Sequence, residues 1–138
     1  MIEVTMDPNW AAKIDAISAD LDKIIVATNI DLWNDVVEGT PVDTGFARAS
    51  WWAAIGDPGA NPSPPAEGDG PNSVPPPAFA GALLMSSGKV LSIANSAAYI
   101  FRLEYDGWSA QNSGWIRAAA AKYGINLSRH AVSLGYKP

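Results

Sequence analysis

Between Asp57 and Pro77 the chain reads DPGANPSPPAEGDGPNSVPPP, a run holding eight of its eleven prolines and three of its twelve glycines. Proline lacks an amide hydrogen and its ring fixes φ near about −65°, so such a run enters neither a helix interior nor a central strand. The block therefore divides the chain into two stretches that must supply all the regular structure. By composition it cannot pack a core, and it reads as an extended loop or arm. A structureless loop of this size is uncommon inside a compact domain and is either a functional element or a disordered surface insertion. With 138 residues in total, one domain spanning residues 1–138 is expected, because two would each be too small to bury a good core.

The stretch before the block is dominated by one helical pattern. Trp10, Ile14, Ile17, Leu21, Ile24 or Ile25, Ala27, Trp33 and Val36 recur three or four residues apart, with Lys13, Asp15, Asp20, Asp22 and Lys23 mostly between them. Asp7-Pro8 offers an N-terminal cap followed by the one helical position that tolerates proline. Gly39-Thr40-Pro41 offers a glycine C-cap and a stop. A helix over about residues 8–38 spans roughly 45 Å, longer than a small domain covers by itself. After a short segment, Phe46 to Ser50, the aromatic run Trp51 to Ile55 predicts a strand. Its two tryptophans face opposite sides, one toward the core and the other toward a contact with another subunit.

Beyond the proline block, Ala78 to Ser86 is apolar and fits helix or strand equally. Val90 to Asn95 alternates as a strand does. Ala97 to Tyr105 predicts a short helix with Tyr99, Leu103 and Phe101 as candidates for its inner face. Gly114 to Leu134 predicts one or two short helices interrupted at Gly124. The fold class is thus α+β: a long N-terminal helix packed on a small, mostly antiparallel sheet, with a C-terminal helical segment and a long Pro-rich loop.

Composition narrows the chemistry. There is no cysteine, which removes disulfides, thiolate nucleophiles and thiolate metal sites, and His130 is the single histidine. A net charge of −5 argues against a protein that grips nucleic acid by neutralising phosphates. The first residues, MIEVTMDPNW, lack the basic head and apolar run of a secretory signal. No segment offers the ~18 uncharged apolar residues of a membrane span, so no membrane partner is expected. Charged residues form 17% of the chain, below the roughly 25% of typical domains. With six tryptophans and 48% hydrophobic residues, part of the surface is expected to lie against other chains.

One triplet, Asp43-Thr44-Gly45, is shared with aspartic proteases. In those enzymes two copies face each other so that the carboxylates share a proton; a single copy requires a homodimer of β-rich subunits. Here the triplet follows a helix and a proline and precedes the bulky Phe46. A structural corner needs less: Pro41 holds Thr40 extended, Asp43 or Thr44 caps the segment beginning at Gly45, and the glycine takes backbone angles that other residues resist. His130 has no nucleophile motif or ordered carboxylate beside it, and reads as a helix-face residue. Asp15, Asp20, Asp22, Asp31 and Asp35 spread around the first helix as a solvated face rather than a metal-binding cluster. Glu104, between Leu103 and Tyr105 and close to Arg102, is either a partly exposed ion pair or a buried carboxylate serving the Asp-Thr-Gly corner or Arg48.

Thr40-Pro41-Val42-Asp43-Thr44-Gly45 followed by Arg48-Ala49-Ser50-Trp51 resembles the motif of bacteriophage neck and tail-completion proteins of the HK97 gp10-like family. In the second half, Ile93-Ala94-Asn95, Ala98-Tyr99 and Leu103-Glu104-Tyr105 look like the family's next segment, and Ser109, Gln111, Gly114 and Arg117 are similar to its tail. Asp106, Asn112 and the length of the Pro-rich insert depart from the family pattern. The resemblance implies a structural protein rather than an enzyme, with no cofactor and no metal. It implies a homo-oligomeric ring, commonly a hexamer, in the virion at the neck or upper tail, assembled in the host cytoplasm. Its neighbours would be head-side connector or head-closure proteins and tail-side terminator or tube proteins, with DNA passing through an acidic lumen without specific binding. A tail terminator or minor tail subunit of the same fold is the alternative reading. The motif residues Thr40 to Gly45, Arg48, Ser50, Trp51, Asn95, Tyr99, Leu103, Glu104 and Tyr105 would then be structural, and the Pro-rich segment an arm reaching a neighbouring subunit.

Overall fold

The computed structural model describes residues 2–3, 9–85, 88–109 and 111–137; the helix start expected at Asp7-Pro8 lies outside them. Helix α1 runs from Trp10 to Gly39, a short helix α2 covers Phe46–Ala49, and strand β1 covers Trp51–Ile55. A 3₁₀ turn at Gly81–Leu84 precedes strand β2, Leu91–Asn95, helix α3, Ile100–Tyr105, and helix α4, Trp115–Ser133. The fold is α+β. β1 and β2 form an antiparallel pair in the register Trp51 opposite Asn95 through Ile55 opposite Leu91.

Helices α1 and α4 lie side by side and antiparallel. Trp115 at the start of α4 donates its indole N–H to Val36 O at 2.9 Å, near the end of α1. Beyond the other end of α4, the Tyr136 hydroxyl donates to Asp20 at 2.8 Å. Between them, Tyr123 donates to the buried Asn29 at 2.8 Å, and His130 meets Asp31 at 2.6 Å with Arg129 at 3.3 Å from the same carboxylate. Asp20 and Asp31 therefore tie α4 to α1 rather than standing in a purely solvated face. The core gathers Trp33, Val36 and Val37 of α1, Ala47, Trp51, Leu83, Ala97, Leu103, Trp115 and Ala119.

Several expectations are corrected by this packing. Gly39 is the last helical residue rather than a left-handed cap, and Thr40 closes the helix with extended angles, as a residue before proline must. The glycine serves close approach instead, since a Cβ there would lie 2.6 Å from Cδ1 of the Trp115 ring. α4 is one continuous helix through Gly124. Glycine costs about 1 kcal/mol in a helix interior, less than the packing of α4 on α1 supplies. On α3, Leu103 is buried whereas Phe101 faces outward at 64% exposure and lies 4.5 Å from the Tyr105 ring.

Among the described residues nothing buries the apolar side chains on the first turns of α1. Trp10, Ile14, Ile17 and Leu21 are 48%, 51%, 54% and 42% exposed, and burial of α1 begins at Ile24. Tyr136 meets α1 at Asp20, so among the described residues positions 10–19 run on for about 15 Å past this contact with an apolar stripe along one side.

Candidate functional site

The corner between α1 and β1 is built almost wholly from the motif that stands out in the sequence. Thr40 is buried; its hydroxyl donates to Val36 O at 2.6 Å and accepts the Trp51 indole N–H at 2.8 Å. One threonine thus satisfies a carbonyl that the end of α1 leaves free and anchors the buried ring of the next strand. Pro41 is buried beside it, and the Val42 amide donates to Gln111 Oε1 at 3.1 Å. Thr44 Oγ1 accepts the Phe46 amide at 3.2 Å in a tight turn leading into α2, whose N-cap residue is Gly45. The local side-chain bond expected of Asp43 or Thr44 is made by Thr44, and it closes the turn rather than capping the helix. Gly45 sits at φ +96°, where a side chain would be strained and would also meet the Val74 carbonyl.

Arg48 and Ser50 finish the corner. Arg48 Nη2 donates to Asn72 Oδ1 at 2.7 Å and to Val74 O at 3.0 Å, and the buried Ser50 hydroxyl donates to Phe46 O at 2.7 Å. From the second half, Asn95 donates to Ala47 O at 2.8 Å and accepts the Ala97 amide at 2.9 Å. Tyr99 places its ring between Phe46, at 6.3 Å, and Trp108, at 5.8 Å. Leu103 completes the core beneath. The two halves of the motif therefore converge on α2, although Glu104 and Tyr105 point elsewhere.

Glu104 is a buried carboxylate, 2% exposed, whose partners are neither the Asp-Thr-Gly corner nor Arg48. Its two oxygens accept the amides of Ile116 and Arg117 at 3.1 Å each. α4 begins at Gly114, which has no side chain to cap it, so Glu104 reaches across from α3 to supply the missing acceptors. The negative charge also lies at the positive end of the helix dipole. Its backbone carbonyl takes the Gly114 amide at 3.0 Å and the Ser113 hydroxyl at 3.0 Å. Arg117 stacks over the exposed Tyr105 at 4.4 Å and lies 3.6 Å from Glu104 Oε2.

The Pro-rich segment folds back instead of reaching outward along its whole length. The Asn72 amide donates to Asp43 O at 2.7 Å and the Val74 amide to Thr44 O at 2.9 Å, and Val74 is 7% exposed. Asn61 donates to Ser50 O at 3.3 Å and to the Ser96 hydroxyl at 3.0 Å, and Trp52 donates to Pro58 O at 3.3 Å. Of the two tryptophans, Trp51 is the core one, and Trp52, left by that choice as the candidate for a contact with another subunit, is half-buried and held by this loop. A lone β-branched residue among prolines, Val74, was the signal for this docking, and composition alone obscures it.

Loop and corner enclose an open cavity of about 410 Å³ lined by Asp43, Phe46, Glu67, Tyr99 and Trp108 among others. Burial pushes the Tyr99 phenol above its ordinary value of 10.0, and the negative charges of Glu67 and Asp43 push it further. A raised phenol pKa means that stability from the neutral form is complete below about pH 10 and is lost as pH rises through the folded value. Tyr123, through burial, and Tyr136, through its hydrogen bond to Asp20, are pushed up as well. Alkaline titration followed by ultraviolet absorbance is therefore expected to show a late phenolate phase whose amplitude falls by one tyrosine in Tyr99→Phe. A variant titrating as the parent does would contradict this placement. Among the described residues no group of three His, Asp or Glu side chains is arranged to hold a metal ion, and no helix is long and apolar enough to cross a membrane.

Comparison of the chain with protein-family models, with curated proteins and with solved structures returns no match.

Proposed function

We propose that this chain is a structural subunit of a bacteriophage virion that assembles into a ring at the head–tail junction, joining tail to head and letting DNA pass. The observation that carries the reading is the bare apolar stripe of α1: Trp10, Ile14, Ile17 and Leu21 on a helix that outruns its own domain. Four large apolar side chains in line on one helix face mark a surface made for another chain. The motif that resembles the neck-protein family supports the same role, because its side chains hold a corner, a strand and a loop together. Head-side connector or closure proteins and tail-side terminator or tube proteins are the neighbours this role requires.

The test is the mass of the purified protein by light scattering, with negative-stain images of the same fraction, for the parent and for an Ile14→Glu, Ile17→Glu double variant. Rings of hexamer size in the parent and monomers in the variant are expected. Both residues are more than half exposed, so the variant should keep its fold. A parent that is monomeric at every concentration removes the support of the stripe. A strict dimer would instead direct attention to proteolysis and its loss in Asp43→Asn.

A further inference from the structure

The corner engages most polar groups of its motif; among the described residues the exceptions are the buried Arg48 Nε, which has no hydrogen-bond partner, and the Asp43 carboxylate. Asp43 contributes its backbone carbonyl to Asn72, but its carboxylate is exposed and no hydrogen bond or ion pair among the described residues engages it. That carboxylate lines the 410 Å³ cavity, as does Glu67, an exposed acid brought there by the Pro-rich loop. The aromatic lining is Phe46, Tyr99 and Trp108, with neighbouring ring centroids 6.3 and 5.8 Å apart. Burial first, and then the charges of Glu67 and Asp43, push the Tyr99 phenol above its ordinary value, and both acids line the same space as the rings.

Aromatic faces together with carboxylates form an environment that recognises a cation, and a planar guanidinium suits it best, stacking on a ring while its N–H groups meet a carboxylate. The chain uses the same arrangement within itself, Arg117 over Tyr105 beside Glu104. The nearby arginines have other contacts. Arg48 holds Asn72 and Val74, and Arg102 lies 5.6 Å from the Trp108 ring centroid without lining the cavity. We infer that the cavity between the Thr40–Gly45 corner and the Pro-rich loop is a receptor for an arginine side chain presented by another polypeptide. The carboxylates of Asp43 and Glu67 select its charge, and Phe46, Tyr99 and Trp108 supply the stacking surface. The inference stands whether or not the chain forms rings.

The probe is N-acetyl-arginine amide, titrated into the isotope-labelled full chain and followed by amide and indole chemical shifts. Saturable shifts at the Trp108 indole and the Gly45 and Gly68 amides are expected, with an affinity in the millimolar range that a single side chain can reach. The neutral isostere N-acetyl-citrulline amide should give none. The double variant Asp43→Asn, Glu67→Gln should weaken the arginine probe at least about tenfold, with the rest of its spectrum unchanged, because neither carboxylate is engaged by the fold. Equal responses to arginine and citrulline, or shifts that persist in the double variant, would overturn the assignment. A response to tetramethylammonium without one to the arginine probe would overturn it in favour of a small free cation.

Discussion

Replacing Glu104 by alanine is expected to lower the unfolding free energy by about 3 kcal/mol, and the melting temperature by roughly 10 °C for a chain of this size. Two amides of the first turn of α4, Ile116 and Arg117, lose their acceptors together. A hydrogen bond to a charged group contributes about 1.5–3 kcal/mol net, and a buried donor left unpaired costs about 1–3 kcal/mol. Gly114 cannot substitute as a cap because it has no side chain. The full penalty of about 3–5 kcal/mol for breaking a buried ion pair does not apply, since the Arg117 side chain is 56% exposed and water can solvate it.

The controls separate capping from charge pairing. Glu104→Gln keeps one carbonyl acceptor and should recover about half the loss. Arg117→Ala should cost no more than about 1 kcal/mol, as exposed ion pairs usually do. Thermal and guanidinium denaturation of the three variants is the measurement. If Glu104→Ala stays within about 1 kcal/mol of the parent while Arg117→Ala falls well below it, Glu104 acts as an ion-pair partner and not as the cap of α4.

Gly45→Ala is expected to release the Pro-rich loop at a similar overall cost. A non-glycine residue at φ +96° carries roughly 1–2 kcal/mol of backbone strain, and overpacking in a filled site adds about 1–3 kcal/mol. The added methyl group would press on the Val74 carbonyl, the atom that Arg48 holds at 3.0 Å. Its nearest escape moves Val74 away from Thr44 and breaks the 2.9 Å amide bond. Amide hydrogen exchange should therefore lose protection at Asn72 and Val74 before the strands do. Limited proteolysis should nick the variant within residues 57–77 while the parent resists. Unchanged protection at Val74 in the alanine variant would show that the loop is held by other contacts. Because the loop carries Glu67 into the cavity, the same variant is expected to weaken the arginine probe.

The spacing of Trp33, Val36 and the apolar residues before them declared α1, because a helix repeats every 3.6 residues and a side chain's face follows from its position alone. The aromatic run at Trp51 and the alternation over Val90–Asn95 declared the two strands for the same kind of reason, the second strand beginning one residue later at Leu91. Gly124 misled because helix propensity is a weak local preference, and packing along Asn29 and Asp31 overrode it. The Thr40–Gly45 corner was legible as a corner, and so was the extended Thr40 before Pro41. The choice of Thr44 over Asp43 for the turn bond to Phe46 was not, because both side chains can make the same local bond.

What the sequence determined by itself was therefore local: where helices and strands form, where proline stops them, and which glycine must turn the chain at Gly45. What only the tertiary structure decided was partnership. Glu104 had a plausible partner in Arg48 along the sequence and found its partners in amides of α4. The Pro-rich segment had no period to read, and Val74 docked it once Thr44 was in place. Asp43 and Glu67, 24 positions apart, became neighbours of one cavity only when that docking occurred. Periodicity is a property of the backbone and can be read along the chain. The partner of a polar group depends on which elements are brought within about 3 Å of it, and packing settles that.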